Sequence, residues 1–200
     1  MLKLPAFGQG QRIGLFGGSF NPAHAGHRMV ALYALKRLKL HWVWWLVSPQ
    51  NPLKDIKQTG EYSARFANTQ LIANHPHFKV TNLEKQIHSR NTAQTLTALK
   101  QAMTKAHFVW IMGADSFADL NHWHDWHHIV ETLPIAVLAR PGYSVRALGG
   151  QAAIRYHNNR VSNEQSGLLA RCNAPAWVFI SMPLRKESST AIRQAVKAVS

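Results

Sequence analysis

The chain has 200 residues, 46% of them hydrophobic, enough for one substantial core and too few for two large ones. Lys and Arg number 23 against 9 acidic residues, a formal net charge of +14. Such an excess points to polyanions, whether nucleic acid, an anionic membrane or phosphorylated small molecules, without choosing among them. The single cysteine, Cys172, excludes an internal disulfide framework and fits a reducing compartment, so the cytoplasm is the expected setting. The opening MLKLPAFGQG lacks the features of a secretory signal, and the run Trp42 to Val47 is too short to span a bilayer, so a soluble protein is expected.

In chain order, residues 1–11 read as an N-terminal extension and the first strand runs from Ile13 to Phe16. It leads into GGSFNPAHAGH, where Gly17 and Gly18 permit a turn and close approach by a ligand, and Asn21 and Pro22 shape the loop. His24 and His27 then fall at the start of a helix carrying Ala31, Leu32, Leu35 and Leu38 along one face, where free N–H groups and the dipole favour anions. Gly8, Gly10 and Gly14 imitate a dinucleotide glycine pattern but precede the strand, and the loop has no Gly-Lys-Ser/Thr ending of a P-loop.

Further strands are predicted over Trp42 to Val47, Phe78 to Leu83, Phe108 to Met112, Ile135 to Ala139 and Trp177 to Ser181, with helices near Ala64 to Ala73, Thr92 to Met103 and Thr190 to Val199. Continuous apolarity marks strands buried on both faces, and their alternation with helices predicts an α/β, Rossmann-like, doubly wound and mainly parallel sheet in a single domain. Residues 143–175 are the least readable and are expected to form a variable region of helix and loop. In NHWHDWHH, His124 and His128 are four apart, a spacing that a shared helix face would allow; two histidines fall short of a tetrahedral zinc set, so no metal site is assigned there and surface or pocket-lining histidines are expected. Near the end, Ser188, Ser189 and Thr190 read as helix-cap residues, with Arg193 on the same face of the first turn.

These residues resemble a family. GGSFNPAHAGH is similar to the GGxFxPxHxGH signature of the nucleotidyltransferase superfamily, and SSTAIR to its SSTxIR motif. SPQNPLK, RNTAQTL, IMGADSFADLNHWHDW and LARPGY follow in the order found in the bacterial nicotinate mononucleotide adenylyltransferases, and the likeness covers Arg12 to Val199. It implies transfer of AMP from ATP to nicotinate mononucleotide, giving nicotinate adenine dinucleotide and pyrophosphate in NAD biosynthesis, with Mg2+ held mainly by substrate phosphates.

Carried onto this sequence, the resemblance implies that His24, His27 and Arg193 are catalytic. Gly17, Gly18, Ser19, Phe20, Asp115, Arg140, Ser189 and Thr190 would bind ATP. Lys54, Thr92, Trp123 and His124 would bind the acceptor, with Trp123 stacking on the pyridine ring and backbone N–H groups near Trp123 and His124 meeting its carboxylate. Asp115 also reads as a cap for a helix beginning near Ser116. Two positions depart from the family: Glu187 replaces an apolar residue before the SST motif, and Leu53 precedes Lys54 where relatives carry proline or histidine. The alternatives are a relative with another acceptor, nicotinamide mononucleotide or phosphopantetheine, and a basic nucleic-acid-binding protein of the same fold. A homo-oligomer is compatible with the sequence, and no membrane partner is expected.

Overall fold

In a computed structural model of the chain, residues 2–49, 59–89, 91–183 and 189–197 are described. Among the described residues seven strands form one sheet: β1 (Arg12–Gly18), β2 (Trp42–Val47), β3 (Phe78–Thr81), β4 (His107–Gly113), β5 (Ile135–Leu138), β6 (Arg160–Val161) and β7 (Trp177–Ile180). Their order is β3-β2-β1-β4-β5-β7-β6, and every pairing is parallel. From β1 the chain winds outward through β2 to β3, and from β4 it winds the other way, so the winding reverses between β1 and β4. In open parallel sheets the crevice beyond the carboxyl ends at such a reversal is the usual ligand site.

The continuous apolarity of the strands follows from burial on both faces. Ile13, Leu15, Trp44, Trp110, Val137 and Trp177 belong to the core on one side, and Val43, Trp45, Val109, Ile111, Leu138 and Val178 to the core on the other. Successive side chains point to opposite faces, so β1, β2, β4, β5 and β7 feed both cores alternately, while β3 packs Phe78 and Val80 on one side. Helix α1 (Ala25–Arg37) covers one face with Val30, Ala31 and Ala34, while α4 (Thr92–Ala102) covers the other with Leu96 and Leu99. The N-terminal extension packs Leu2, Leu4 and Phe7 against the second of these faces.

Helices α2 (Tyr62–Ile72), α5 (Ala114–Ala118), α6 (Trp126–Thr132) and α9 (Ser189–Lys197) complete the surroundings of the crevice. Three readings need correction. The third strand ends at Thr81, and Leu83 opens a short helix, α3 (Leu83–Ile87), because an apolar run alone does not separate strand from buried helix. Asp115 lies within the first turn of α5, whose N-cap is Gly113. His124 precedes α6 and shares no helix with His128, whose Nε2 lies 2.8 Å from Thr97 Oγ1. Residues 143–175 contain α7 (Ser144–Leu148), α8 (Gln151–Arg155), two 3-10 turns and the two-residue strand β6, too short to show a pattern in sequence.

Candidate active site

A cavity of about 720 Å³ opens at the winding reversal. One end is bordered by Gly17, Gly18, Ser19, Phe20 and His27 from the β1–α1 connection, and by Ser189 and Thr190 from the start of α9. The middle is bordered by Asp115 and Arg140, and the far end by Thr92, Trp123 and His124. Twelve of the fifteen residues expected in the site therefore line one space. His24 and Arg193 stand beside it, and Lys54, like Leu53, Glu187 and Ser188, lies outside the described residues.

The β1 loop follows from its composition. A Cβ on Gly17 would collide with the Trp110 indole, so only glycine lets this strand end lie against the tryptophan. Phe20 has φ of 43°, and its ring is buried edge-on against Phe16 and His27 and tilted on Trp45. The ring thereby anchors the loop, while Phe20 also borders the cavity.

His24 is the N-cap of α1: its Nδ1 accepts from the Gly26 N–H at 3.1 Å, while His27 Nδ1 accepts from the His24 N–H at 3.3 Å. This is a capping box made of imidazoles, with ring centroids 3.9 Å apart. Because both Nδ1 atoms are acceptors, the neutral tautomer of each ring carries its hydrogen on Nε2. His24 is only 5% exposed, so His27 is the member that reaches the cavity.

Helix α9 comes to the same loop from the far end of the chain. Ser189 Oγ donates to Pro22 O at 2.9 Å, and Arg193 Nη1 donates to Asn21 O at 2.6 Å, with Nη2 3.2 Å from Thr190 Oγ1. The expected alignment of Arg193 with Thr190 is present, but the guanidinium is engaged with the loop backbone.

At the middle, Arg140 Nε lies 3.6 Å from Asp115 Oδ1. At the far end, Trp123 is half-buried against the core, leaving part of its ring to the cavity. The Trp123 backbone N–H donates to Leu120 O at 2.9 Å, which corrects the expectation that this donor serves a ligand carboxylate. Asn91 caps α4 by accepting from the Gln94 N–H at 3.0 Å, which places Thr92 in the first turn at the cavity wall.

Sequence reasoning missed Glu84 and Ser48 on the cavity wall. Glu84 is 8% exposed, and burial pushes its carboxyl up to about 7 against a hydrogen bond from the Ser48 side chain that acts the other way. Its one legible signal was a rare acid just past a strand's carboxyl end. Asp119, also on the wall, is paired with Arg146 at 2.6 Å.

Among the described residues there is no group of three or more His, Cys, Asp or Glu placed to hold a metal ion. Asp115, with Glu84 and Asp119, is one of three carboxylates on the cavity wall, and one carboxylate with substrate phosphates is a sufficient donor set for magnesium.

The cytidylyltransferase-like family model matches residues 15–195. A probable nicotinate-nucleotide adenylyltransferase of Mesorhizobium japonicum is 45% identical over 97% of this chain and 100% of its own length. One of Brucella suis is 43% identical over 91% and 94%. Among solved structures, the Plasmodium falciparum nicotinic acid mononucleotide adenylyltransferase complexed with NaAD shares the fold, with a TM-score of 0.71 at 18% identity over 92% of this chain and 83% of that one. With the reversal-point cavity and both loop ends in place, these matches lead to one conclusion: the chain belongs to the cytidylyltransferase-like family, in the company of the probable nicotinate-nucleotide adenylyltransferases.

Proposed function

We propose that this chain is a nicotinate-nucleotide adenylyltransferase, transferring AMP from ATP to nicotinate mononucleotide with release of pyrophosphate. The observation that carries the reading is the closure of the β1 loop by α9, through Ser189 on Pro22 O and Arg193 on Asn21 O, at one end of a cavity whose other end presents Trp123 and Thr92. A cavity of about 720 Å³ suits two ligands of nucleotide size meeting end to end.

A 5′-phosphate oxygen of the acceptor attacks the α-phosphorus of ATP; the P–O bond to the β-phosphate breaks, and its electrons leave with pyrophosphate. The second pKa of the attacking phosphate is about 6, so it is largely a dianion at neutral pH and needs no general base. Catalysis is then positioning and charge stabilisation. His27 offers an Nε2–H donor to the phosphates from a ring locked by the helix cap. Ser189 and Thr190 offer hydroxyls to the departing β- and γ-phosphates, while His24 and Arg193 hold the loop that carries them. Asp115 and Arg140 face the adenosine side, and Trp123, Thr92 and His124 receive the pyridine ring. Magnesium would be held mainly by the substrate phosphates, with Asp115 as a protein carboxylate on offer, and would neutralise the phosphate charge. Among the described residues no helix is long and apolar enough to cross a membrane. The cytoplasm is the setting we assign, because a single cysteine fits a reducing compartment.

The test is pyrophosphate release from ATP and Mg2+ with nicotinate mononucleotide, nicotinamide mononucleotide and phosphopantetheine offered separately. Preference for the nicotinate form is expected. Preference for another acceptor would discard the pocket assignment around Trp123, and no release with any acceptor would favour a binding protein whose nucleic-acid affinity falls steeply with salt.

A further inference from the structure

Arg65 belongs to α2 and to neither phosphate motif, yet it is only 4% exposed. Its guanidinium donates from Nε to Gly60 O at 2.8 Å, from Nη1 to Ser19 O at 2.6 Å and Ser48 O at 2.9 Å, and from Nη2 to Pro49 O at 2.8 Å. These carbonyls come from three separate stretches: the loop leaving β1, the loop leaving β2 and the turn before α2. Among the described residues no carboxylate lies within ion-pair distance of it; Glu61 attracts it from farther away, and the Tyr62 ring lies 5.4 Å from its Cζ.

Stability alone does not explain this choice. Burying a guanidinium has a large desolvation cost, and packed apolar side chains often serve a core as well or better. What an apolar side chain cannot do is hold carbonyls of different loops at fixed separations, whereas the planar guanidinium presents its donors in a rigid fork. Ser19 and Ser48 both border the cavity, the first at the triphosphate end and the second beside Glu84. A trans peptide sets its N–H opposite its C=O, so fixing Ser19 O also fixes the direction of the Phe20 N–H. The same loop is held from its other side by Arg193 and Ser189, and Asn21 Oδ1 accepts from the Gly60 N–H at 3.2 Å. The Ser48 N–H donates to Gly18 O at 3.0 Å, a further tie between the two strand ends.

We propose that Arg65 is a positioning residue of this site: its fork joins the loop after β1 to the loop after β2 and thereby sets the separation of the triphosphate end from the acceptor end of the cavity. The functional part of this inference rests on the adenylyltransferase reading; the structural part does not.

The experiment compares the wild-type chain with Arg65→Lys, which keeps the charge on a single nitrogen, and Arg65→Gln, which keeps a planar donor without the charge. Hydrogen exchange is followed in segments 14–24 and 44–49 with β5 as internal reference, together with separate kcat and KM values on protein whose folded fraction is measured by near-UV circular dichroism. Carrying two variants means that a folding failure in one leaves the other to decide. The expected result is faster exchange in both loop segments relative to β5, a fall in kcat of about tenfold to a hundredfold per folded molecule, and KM values for each substrate within about threefold, since each half-site survives while their relative placement is lost. A kcat within about threefold of wild type per folded molecule would reduce Arg65 to a stabilising residue and overturn the proposal. If the wild-type chain releases no pyrophosphate, the function falls separately, and unchanged exchange in the two segments then overturns the clamp on its own.

Discussion

Glu84→Gln tests the buried carboxyl on the cavity wall. Burial raises its pKa from 4.5 to about 7. A raised carboxyl favours the protonated folded state: below pH 4.5 both states hold the proton and nothing is lost. Between pH 4.5 and about 7 the folded chain keeps a proton that the unfolded chain has released, so stability falls as pH rises. Above about 7 the loss is complete, and at about 1.4 kcal/mol per tenfold change in acidity it amounts to about 3 kcal/mol. Glutamine is similar in size and does not ionise. Urea unfolding of both proteins at pH 5 and pH 8 should therefore show the variant gaining about 2 to 3 kcal/mol on the wild type across that interval, other titrations cancelling in the difference. A difference that stays flat with pH would refute the reasoning and mean that the cavity solvates this carboxyl as water does.

Gly17→Ala should destabilise the fold by about 1 to 3 kcal/mol through collision with the Trp110 indole, with partial recovery in the double variant carrying Trp110→Phe, both read from urea midpoints. His41 and His75 have pKa values lowered from 6.5 mainly by burial, helped by Arg12 and His77 for the first and by His77 and Arg28 for the second. Their contribution is intact above pH 6.5 and is lost below it, as the unfolded chain takes up protons that the folded chain refuses; this opposes the Glu84 effect. On the Glu84→Gln background, acidification from pH 7.5 to 5.5 should lower Tm, and the added pair His41→Gln and His75→Gln should flatten that fall. Trp123→Ala should raise KM for nicotinate mononucleotide by about tenfold or more, as loss of a stacking platform does, with KM for ATP within about twofold in initial-rate measurements.

The strands were legible because burial on both faces leaves no polar interruption: Trp42 to Val47 needed no adjustment, and the others moved by a residue or two. The β1 loop and the start of α9 were legible because their glycines, helix starts and hydroxyls stand in a short local order that the sequence shows directly. What escaped was non-local. Arg65 reads in sequence as an ordinary helix arginine, since its four acceptors are carbonyls, which every residue possesses. The engagement of the Trp123 N–H with Leu120 O depends on a 3-10 turn at Leu120–His122 that propensity does not announce. The turn from β3 into α3, which puts Glu84 on the cavity wall, lies hidden inside one apolar run.

The contacts of Ser189 and Arg193 with Pro22 and Asn21 join residues 167 and 172 positions apart, and α9 follows every strand in chain order. On the role proposed for Ser189 and Thr190, the leaving group is gripped by residues that the ribosome delivers after every described strand of the sheet. A chain ending before α9 would carry those strands and lack that grip, and is expected to release no pyrophosphate.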